Sequence, residues 1–374
     1  MQSPYDFATG NTNPENFPTE ALVEAATAAI PEVARDLNIY PGKLGHPGLR
    51  ALMAERERDR EGVAVDPDHL VLTNGSMQAV TLVGEALCPH PGDPVVMEGF
   101  NYPGTINAYR SLGIDMVGVP LDGHGMRVDA LSDTMKRLHD EGRPPKFVYV
   151  LATYQNPTGS TMPRTRRLEL LEVVNEYDAV LVEDNCYGDV HYEGEKPPAF
   201  YALDDSPNQV YLCSLSKIFA PGVRLGYLYA RPPMLERLLA RRHDAGPNTL
   251  AAAIMTRYLE GRLWEHCEAA NAALRLKRDA VLEALETHLG NACSWSHPVG
   301  GLFVWVRVPE DVDVARLAVA CAERDVYFAP GANFELDNRK VSYLRLAFGF
   351  PRVDDIHEGI RRLGEGLGAV REPG

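Results

Sequence analysis

Short apolar runs alternate with longer amphipathic stretches through the central third of the chain. Five of the runs are predicted as strands, namely His69–Thr73, Pro94–Glu98, Lys146–Thr153, Ala179–Glu183 and Val210–Ser214. The stretches Gln78–Leu87 and Arg164–Tyr177 are predicted as helices, and in the second Leu168, Leu171 and Val174 recur at helical spacing with charges opposite. Strands that alternate with helices are typical of a mostly parallel sheet with helices on its faces.

The pattern changes after Tyr229. The stretches Met234–Arg242 and Asn248–Leu289 are predicted to be helical, because they are rich in Ala, Leu, Glu and Arg. A tail punctuated by glycine follows, with predicted strands at Gly301–Val308, Val326–Ala329 and Ser342–Phe348. We therefore expect a large α/β domain followed by a smaller α+β domain, with the boundary in the helical stretch after Pro247.

The composition narrows the class of protein. The 374 residues are 45% hydrophobic and 24% charged, which is close to the average for globular proteins and excludes a disordered, collagen-like or coiled-coil chain. The formal net charge of −15 argues against nucleic acid or an anionic membrane as the main partner. It leaves open an anionic ligand at one local site.

Cysteine, histidine and hydropathy patterns exclude further classes of function. The 6 cysteines lie far apart without a Cys-x-x-Cys pair, which predicts reduced thiols in a cytoplasmic protein. The 11 histidines show no His-Glu-x-x-His spacing, so we predict no metal site. Apolar runs such as Ala179–Val182 are far shorter than the roughly 18 residues of a membrane helix, and the N-terminus does not resemble a signal peptide.

Polar residues follow several predicted strands, where an open parallel sheet binds its ligands. Asn74-Gly75-Ser76-Met77 runs directly into a helix, which suits a phosphate, although most such turns are helix caps. Asn156 lies in a turn rich in turn-forming residues, and either a plain turn or an amide aimed at a ligand explains it. Asp184 follows a buried strand, where a salt bridge or a helix cap is the alternative to a ligand contact.

A lysine follows the fifth predicted strand. Lys217 lies beside Ser214 and Ser216, and Arg224 follows seven residues later in a turn shaped by Gly and Pro. A lone lysine at such a position is usually a solvated surface residue, but hydroxyls with an arginine suit a phosphate monoester, and the amine suits imine formation. A phosphate site, an amide, a carboxylate, a phenol and an amine together match pyridoxal 5′-phosphate (PLP).

Three motifs in this order carry a resemblance to a known family. Asn156-Pro157-Thr158-Gly159, Glu183-Asp184-x-x-Tyr187, and Ser214-x-Ser216-Lys217 with Arg224 resemble the fold-type I PLP enzymes, and among them the class I and II aminotransferases. The nearest resemblance is to the branch that contains the 2-aminoadipate and kynurenine aminotransferases. It implies a large domain with a mostly parallel seven-stranded sheet at 41–255, and a smaller α+β domain formed by the N-terminal segment 1–40 with 256–374.

The resemblance also implies roles for individual residues. Lys217 matches the Schiff-base lysine, and Asp184 matches the partner of the pyridine nitrogen. Asn156 and Tyr187 match the ligands of the ring oxygen, and Tyr102 matches the aromatic residue stacked on the ring. The residues that match the phosphate ligands are Gly75, Ser76, Met77, Ser214, Ser216 and Arg224.

Further matches concern the substrate and the assembly. Arg345 matches the residue that binds the substrate α-carboxylate, with Asn156 beside it, and Gly10 matches a glycine that lies over the substrate. Tyr40 matches a tyrosine that reaches the phosphate of a neighbouring subunit, which implies a homodimer with shared sites. The chain departs from the family at Met77, where Gln is common, and at Ile218, where Thr is frequent. The segment Thr9-Gly10-Asn11-Thr12 also differs from the commoner glycine-rich form.

The function implied is amino-group transfer between an L-amino acid and a 2-oxo acid by a ping-pong mechanism. The substrate stays open and includes specialised or non-proteinogenic amino acids. Elimination, cyclisation or an oxidase-like PLP reaction on the same fold is the alternative. A regulator whose sensor domain has this fold would carry an N-terminal DNA-binding domain, whereas the family motif that contains Gly10, Phe7–Pro18, begins near residue 1. A hydride-transfer enzyme is disfavoured because no Gly-x-Gly-x-x-Gly follows a strand.

Overall fold

The computed structural model describes residues 3–371, in which helices and strands alternate through the first two thirds. The helices are α1 (Thr19–Val33), α2 (Pro47–Glu61), α3 (Ser76–Leu87), α4 (Pro103–Ser111), α5 (Val128–Asp140), α6 (Arg164–Glu176), α7 (Phe200–Leu203), α8 (Met234–Leu239), α9 (Thr249–Leu259), α10 (Leu263–Leu289), α11 (Val314–Ala322) and α12 (Val353–Arg371). The strands are β1 (Leu70–Thr73), β2 (Pro94–Glu98), β3 (Asp115–Val119), β4 (Leu121–Asp122), β5 (Gly125–Met126), β6 (Phe147–Val150), β7 (Val180–Asp184), β8 (Gln209–Ser214), β9 (Gly226–Ala230), β10 (Ser294–Trp295), β11 (Phe303–Arg307), β12 (Ala329–Pro330) and β13 (Tyr343–Ala347).

A seven-stranded sheet forms the centre of the larger part, in the order β1-β9-β8-β7-β6-β2-β3. Six of its strands run in the same direction, and β9 is antiparallel to both of its neighbours. Strands β2, β6, β7 and β8 are buried along their whole length. Helices cover both faces, which is why these strands occur in the sequence as continuous apolar runs. The predicted mostly parallel sheet is confirmed.

Several predicted elements differ from the observed ones. The stretch 248–289 is two helices, because Gly261 between α9 and α10 adopts a φ of +71°. The predicted strand Val326–Ala329 overlaps β12 only at Ala329. On α6, Arg167 is buried among the apolar side chains and donates hydrogen bonds to Glu183 and Thr153. Its ion pair offsets the cost of burying a guanidinium.

A four-stranded antiparallel sheet in the order β10-β11-β13-β12 lies in the C-terminal third. The N-terminal segment extends it, since Phe7 donates its N–H to the carbonyl of Tyr327 at 2.8 Å and accepts from Ala347 N at 2.8 Å. Helix α1 packs elsewhere, where Ala29 and Val33 form an apolar cluster with Ala253 of α9. The residues before α2 therefore contact both parts of the molecule.

None of the helices within residues 3–371 is long and apolar enough to cross a membrane. The same residues contain no group of three or more His, Cys, Asp or Glu side chains arranged to hold a metal ion.

Candidate active site

A cleft of about 260 Å³ lies beyond the carboxyl ends of β7 and β8, against the β11–β13 face of the smaller sheet. It is lined by twelve of the residues predicted for the site, namely Gly10, Ser76, Met77, Tyr102, Asn156, Asp184, Tyr187, Ser214, Ser216, Lys217, Arg224 and Arg345. Gly75 is not among the lining residues, but it lies beside the guanidinium of Arg224, which is. Tyr40 is 84% exposed and lies outside the cleft lining.

One end of the cleft is built from backbone N–H groups, hydroxyls and a guanidinium. Gly75 is the N-cap residue directly before α3 and has φ +73° and ψ 170°, a conformation that only glycine adopts readily. A Cβ atom at this position would collide with the guanidinium of Arg224. Arg224 donates to the carbonyls of Asn74 and Pro221, at 3.1 Å each, and Ser214 Oγ accepts from the N–H of Ser216 at 3.1 Å. A helix N-terminus with an adjacent arginine binds a phosphate well.

A buried carboxylate occupies another wall of the cleft. Asp184 is the last residue of β7, and it accepts hydrogen bonds from Tyr149 Oη at 2.6 Å and from Cys186 N at 3.2 Å. Within residues 3–371, no lysine or arginine forms an ion pair with it, and burial raises its pKa. A buried carboxylate without a cation fits a ligand that brings a cationic group of its own.

The amine of Lys217 lies inside the same cleft. Its Nζ donates to the carbonyl of Gly10 at 2.8 Å and lies 5.9 Å from the ring centroid of Tyr187. Burial is the main cause that lowers the pKa of Lys217 to about 8, and the charges of Arg345 and Arg224 act in the same direction. The amine therefore loses its proton at a lower pH than an exposed lysine does, as an amine that attacks a carbonyl group requires.

A second cation is buried without a carboxylate partner among the described residues. Arg345 on β13 donates to Asn156 Oδ1 at 2.9 Å and to the carbonyl of Ala8 at 2.6 Å, and its guanidinium lies 4.2 Å from the ring centroid of Phe303. Its Nε is buried and has no hydrogen-bond partner within residues 3–371, and burial lowers the pKa of Arg345 to about 10. An unpaired guanidinium of this kind suits a carboxylate of a bound molecule.

Sequence reasoning missed part of the site. The cleft is also lined by Thr9, Asn11, Leu151, Cys186, Pro221 and Phe303. Tyr149, the donor to Asp184, was missed because it lies in the apolar run of β6, where a tyrosine resembles any other core residue. Its hydroxyl was the available signal, since a buried phenol usually requires a hydrogen-bond partner.

The residues present fit PLP. The cleft brings together a cradle for a phosphate, a buried carboxylate that lacks a cation, and an amine whose pKa is lowered. These groups correspond to the phosphate, the basic ring nitrogen and the aldehyde of that cofactor.

Comparisons with known proteins agree with this chemistry. Residues 6–363 match the model of the family described as aminotransferase class I and II. The chain is 35% identical over 361 residues to aromatic-amino-acid aminotransferase 1 of Thermococcus litoralis, which covers 96% of this chain and 86% of that protein.

Solved structures give the same result. The kynurenine aminotransferase of Pyrococcus horikoshii in complex with PMP has a TM-score of 0.93 and 32% identity, and the match covers 99% of this chain and 92% of that one. The alpha-aminoadipate aminotransferase LysN of Thermus thermophilus, complexed with N-(5′-phosphopyridoxyl)-L-leucine, has a TM-score of 0.91 and 32% identity, with 98% and 92% covered. The chain therefore belongs to the class I and II aminotransferases and has the fold-type I architecture, and its cofactor is PLP.

Proposed function

We propose that this enzyme moves an amino group between an L-amino acid and a 2-oxo acid in two half-reactions that share one cleft. The observation that carries the proposal is the presence, in this cleft, of the Lys217 amine and of the unpaired guanidinium of Arg345. An amine that attacks a carbonyl group and a cation that binds a carboxylate are the two groups that an α-amino acid substrate requires.

The cofactor is held from three sides in this proposal. The helix N-terminus at Ser76 and Met77, together with Gly75, the hydroxyls of Ser214 and Ser216, and Arg224, binds its phosphate. Tyr102, which is 40% exposed, stacks on the ring, and Asp184 pairs with the ring nitrogen. Asn156 and Tyr187 donate to the ring oxygen. When bound, PLP supplies an aldehyde that combines with amines and a ring that withdraws electrons from the substrate Cα.

Lys217 moves the proton at the substrate Cα. A general base works best when its pKa lies near the working pH, and the value of about 8 for Lys217 meets this condition. The carbonyl of Gly10 accepts from Nζ and thereby orients the amine. A Cβ atom at Gly10 would lie 3.2 Å from the ring of Phe303 and 4.0 Å from Lys217 Nζ, so a side chain at this position would crowd both the ring and the amine.

Arg345 binds the α-carboxylate and so orients the Cα–H bond toward Lys217. The Asn156 amide holds one end of the guanidinium, and the rings of Phe303 and Phe334 contact its faces at 4.2 and 4.7 Å. These contacts fix the plane of the guanidinium, which makes a two-point contact with a carboxylate specific in direction.

The charges of the cleft favour a donor with a neutral side chain. Lys217, Arg224 and Arg345 are the lysines and arginines that line the cleft among the described residues. Each has a role in the proposal, so no cation of this chain's cleft lining is left for a second substrate carboxylate. The relative named for aromatic amino acids supports testing aromatic donors first.

The organisation of the protein is part of the proposal. We propose a homodimer in which the exposed Tyr40 of one subunit completes the phosphate site of the other. We also propose that residues 1–40 and 256–374 form the small domain around a PLP domain at 41–255. None of the 6 cysteines forms a disulfide, which supports a cytoplasmic location.

A panel of amino donors tests the reaction. The holoenzyme is mixed with L-phenylalanine, L-tyrosine, L-leucine, L-kynurenine or L-2-aminoadipate, without any 2-oxo acid, and the products are quantified. We expect one equivalent of the matching 2-oxo acid per subunit, no free ammonia, and a rate at least about tenfold higher for a neutral aromatic donor than for 2-aminoadipate, because a buried unpaired carboxylate costs more than 1.4 kcal/mol.

Other outcomes identify the alternatives. Release of ammonia would favour elimination or an oxidase-like reaction over transamination. Faster reaction with 2-aminoadipate than with any neutral donor would contradict the neutral side chain and leave transamination standing. Incubation without an amino donor is the control, and it should yield neither 2-oxo acid nor ammonia.

Substitution of Gly75 by alanine tests the phosphate cradle. We expect the Gly75→Ala variant to bind PLP at least about tenfold more weakly, because the new Cβ displaces the Arg224 guanidinium. We also expect a loss of about 1–3 kcal/mol in the free energy of unfolding, because φ +73° and ψ 170° suit glycine alone. Cofactor titration of the apoprotein and urea unfolding measure the two effects.

Gly62→Ala is the matched control for backbone strain. Gly62 has φ +72° at the end of α2 and open space around it, so alanine there is expected to cost about 1 kcal/mol and to leave PLP affinity unchanged. Equal PLP affinity of the Gly75→Ala variant and the wild type would contradict the proposed cradle.

A further inference from the structure

Asp184 accepts a hydrogen bond from a residue outside the cleft lining. Tyr149 Oη donates to Asp184 Oδ2 at 2.6 Å, a shorter hydrogen bond than the one that Cys186 N donates at 3.2 Å. The thiol of Cys186 also contacts the carboxylate, but a thiol is a weak donor. The phenol is therefore the strongest neutral donor to a buried carboxylate that has no cation beside it.

The direction of hydrogen bonding behind Asp184 is fixed by counting protons. Tyr149 has one hydroxyl proton, and a charged Asp184 can only accept. The contact of 3.2 Å between Thr105 Oγ1 and Tyr149 Oη must then be donated by Thr105. Thr105 lies in the first turn of α4. The two hydrogen bonds from Thr105 to Tyr149 and from Tyr149 to Asp184 therefore link that helix through β6 to the end of β7.

The surroundings of Asp184 oppose its charge. The titratable groups around it are Tyr149 on β6, Glu98 on β2, Tyr109 on α4, and Cys186 and Tyr187 after β7. None of these five is a cation. Glu98 is buried, accepts from Leu151 N at 3.1 Å and from Asn101 Nδ2 at 2.9 Å, and its pKa is raised to about 8. Burial and the charge of Asp184 raise the pKa of Tyr149, so the phenol keeps the proton that it donates.

We propose that Tyr149 is a positioning residue that keeps Asp184 charged and directed at the ring nitrogen of the cofactor, and that Thr105 orients the phenol for this task. This inference rests on the proposed function, in which Asp184 pairs with that nitrogen. Tyr149 itself does not line the cleft. It acts through Asp184, and its removal leaves a carboxylate that is more stable as the neutral acid.

Two measurements on the Tyr149→Phe variant test the proposal. We expect the dissociation constant of PLP from the apoprotein to rise about tenfold, because a hydrogen bond to a charged group is lost. We also expect the pH midpoint of the bound cofactor's visible absorbance to move upward. A protonated ring nitrogen is positive and disfavours the uptake of a second proton elsewhere on the cofactor. When the negative charge of Asp184 is weakened, the ring nitrogen is less protonated, so the second proton stays bound up to a higher pH.

Tyr109→Phe is the matched control. Tyr109 is buried, its ring lies 5.8 Å from that of Tyr149, and its hydroxyl has no hydrogen-bond partner within residues 3–371. The substitution therefore removes a phenolic hydroxyl from the same part of the core. We expect PLP affinity within about twofold of the wild type and an unchanged pH midpoint of the cofactor's absorbance.

Thr105→Val gives an independent test. It keeps the phenol and removes the donor that orients it, so we expect shifts in the same directions that are smaller, about two- to threefold in PLP affinity. The Thr105→Val variant also tests the proposal if the Tyr149→Phe variant does not fold. Wild-type values of affinity and midpoint in Thr105→Val and in any folded Tyr149→Phe variant would overturn the proposal. Failure of the wild-type apoprotein to take up PLP would overturn both this proposal and the proposed function on which it rests.

Discussion

Replacement of Lys217 by alanine is expected to lower turnover at least about a thousandfold for every amino donor. The proposal assigns two tasks to this amine, combination with the cofactor aldehyde and movement of the proton at Cα, and general base catalysis alone contributes about 10²- to 10⁴-fold. The cofactor should remain bound through its phosphate, since Arg224 and the N-terminus of α3 are unchanged. Initial rates measure the first effect, and PLP titration measures the second.

Covalent attachment separates this effect from general damage. Borohydride treatment should fix the cofactor to the wild-type chain, with the added mass at Lys217, and should fix none to Lys217→Ala. Lys136→Ala is the control, because Lys136 is exposed on α5 and pairs with Asp140, so its loss should change neither turnover nor attachment. Retention of turnover and of covalent cofactor by Lys217→Ala would refute the assignment of this residue.

Replacement of Arg345 by alanine is expected to lower kcat/KM for amino acids about 10²- to 10³-fold. Loss of one partner from a buried hydrogen-bonded charge pair costs about 2–5 kcal/mol, and the substrate carboxylate would be that partner. Arg345→Lys should recover only part of the loss, because an ammonium keeps the charge but not the planar fork. PLP affinity should fall by less than about tenfold, because Arg345 does not contact the phosphate cradle and reaches the cofactor only through Asn156, a proposed ligand of the ring oxygen.

A donor without a carboxylate provides the sharper control for Arg345. Phenethylamine lacks the α-carboxylate of phenylalanine. We therefore expect its low reaction rate to be the same in the wild type and in Arg345→Ala. Arg307→Ala is the control variant, because Arg307 on β11 lies on the same face of the smaller sheet as Arg345 on β13, is exposed and pairs with Glu310. An equal loss for phenylalanine and phenethylamine would show that Arg345 does not bind the α-carboxylate.

The sheet was predictable to a large extent because its central strands are buried on both faces. Continuous apolar runs mark β2, β6, β7 and β8, and their bounds in the structure differ from the predicted ones by at most three residues. Strands β3 and β9 escaped prediction. Strand β9 follows directly on the turn that holds Arg224, and its Tyr227 and Tyr229 resemble neither a plain apolar run nor a polar face.

The glycines near the phosphate cradle show the limit of local patterns. Gly75 was expected from the turn before α3, and its positive φ is consistent with that reading. Gly226 was not singled out, although a Cβ atom there would lie 2.8 Å from the backbone of Gly75 and Ser76. That close approach arises from the pairing of β9 with β1 and β8, so no single segment of the sequence reveals it.

The sequence by itself determined the chemical inventory of this protein and the order of its parts. Strands ending in an amide, a carboxylate and an amine must bring these groups to one edge, because parallel strands share their carboxyl ends. Only the tertiary structure decided how each group is tuned: which phenol donates to Asp184, which carbonyl holds the Lys217 amine, and which amide holds Arg345. These partners lie far apart along the chain, and burial sets their pKa values, so packing across the whole fold is what selects them.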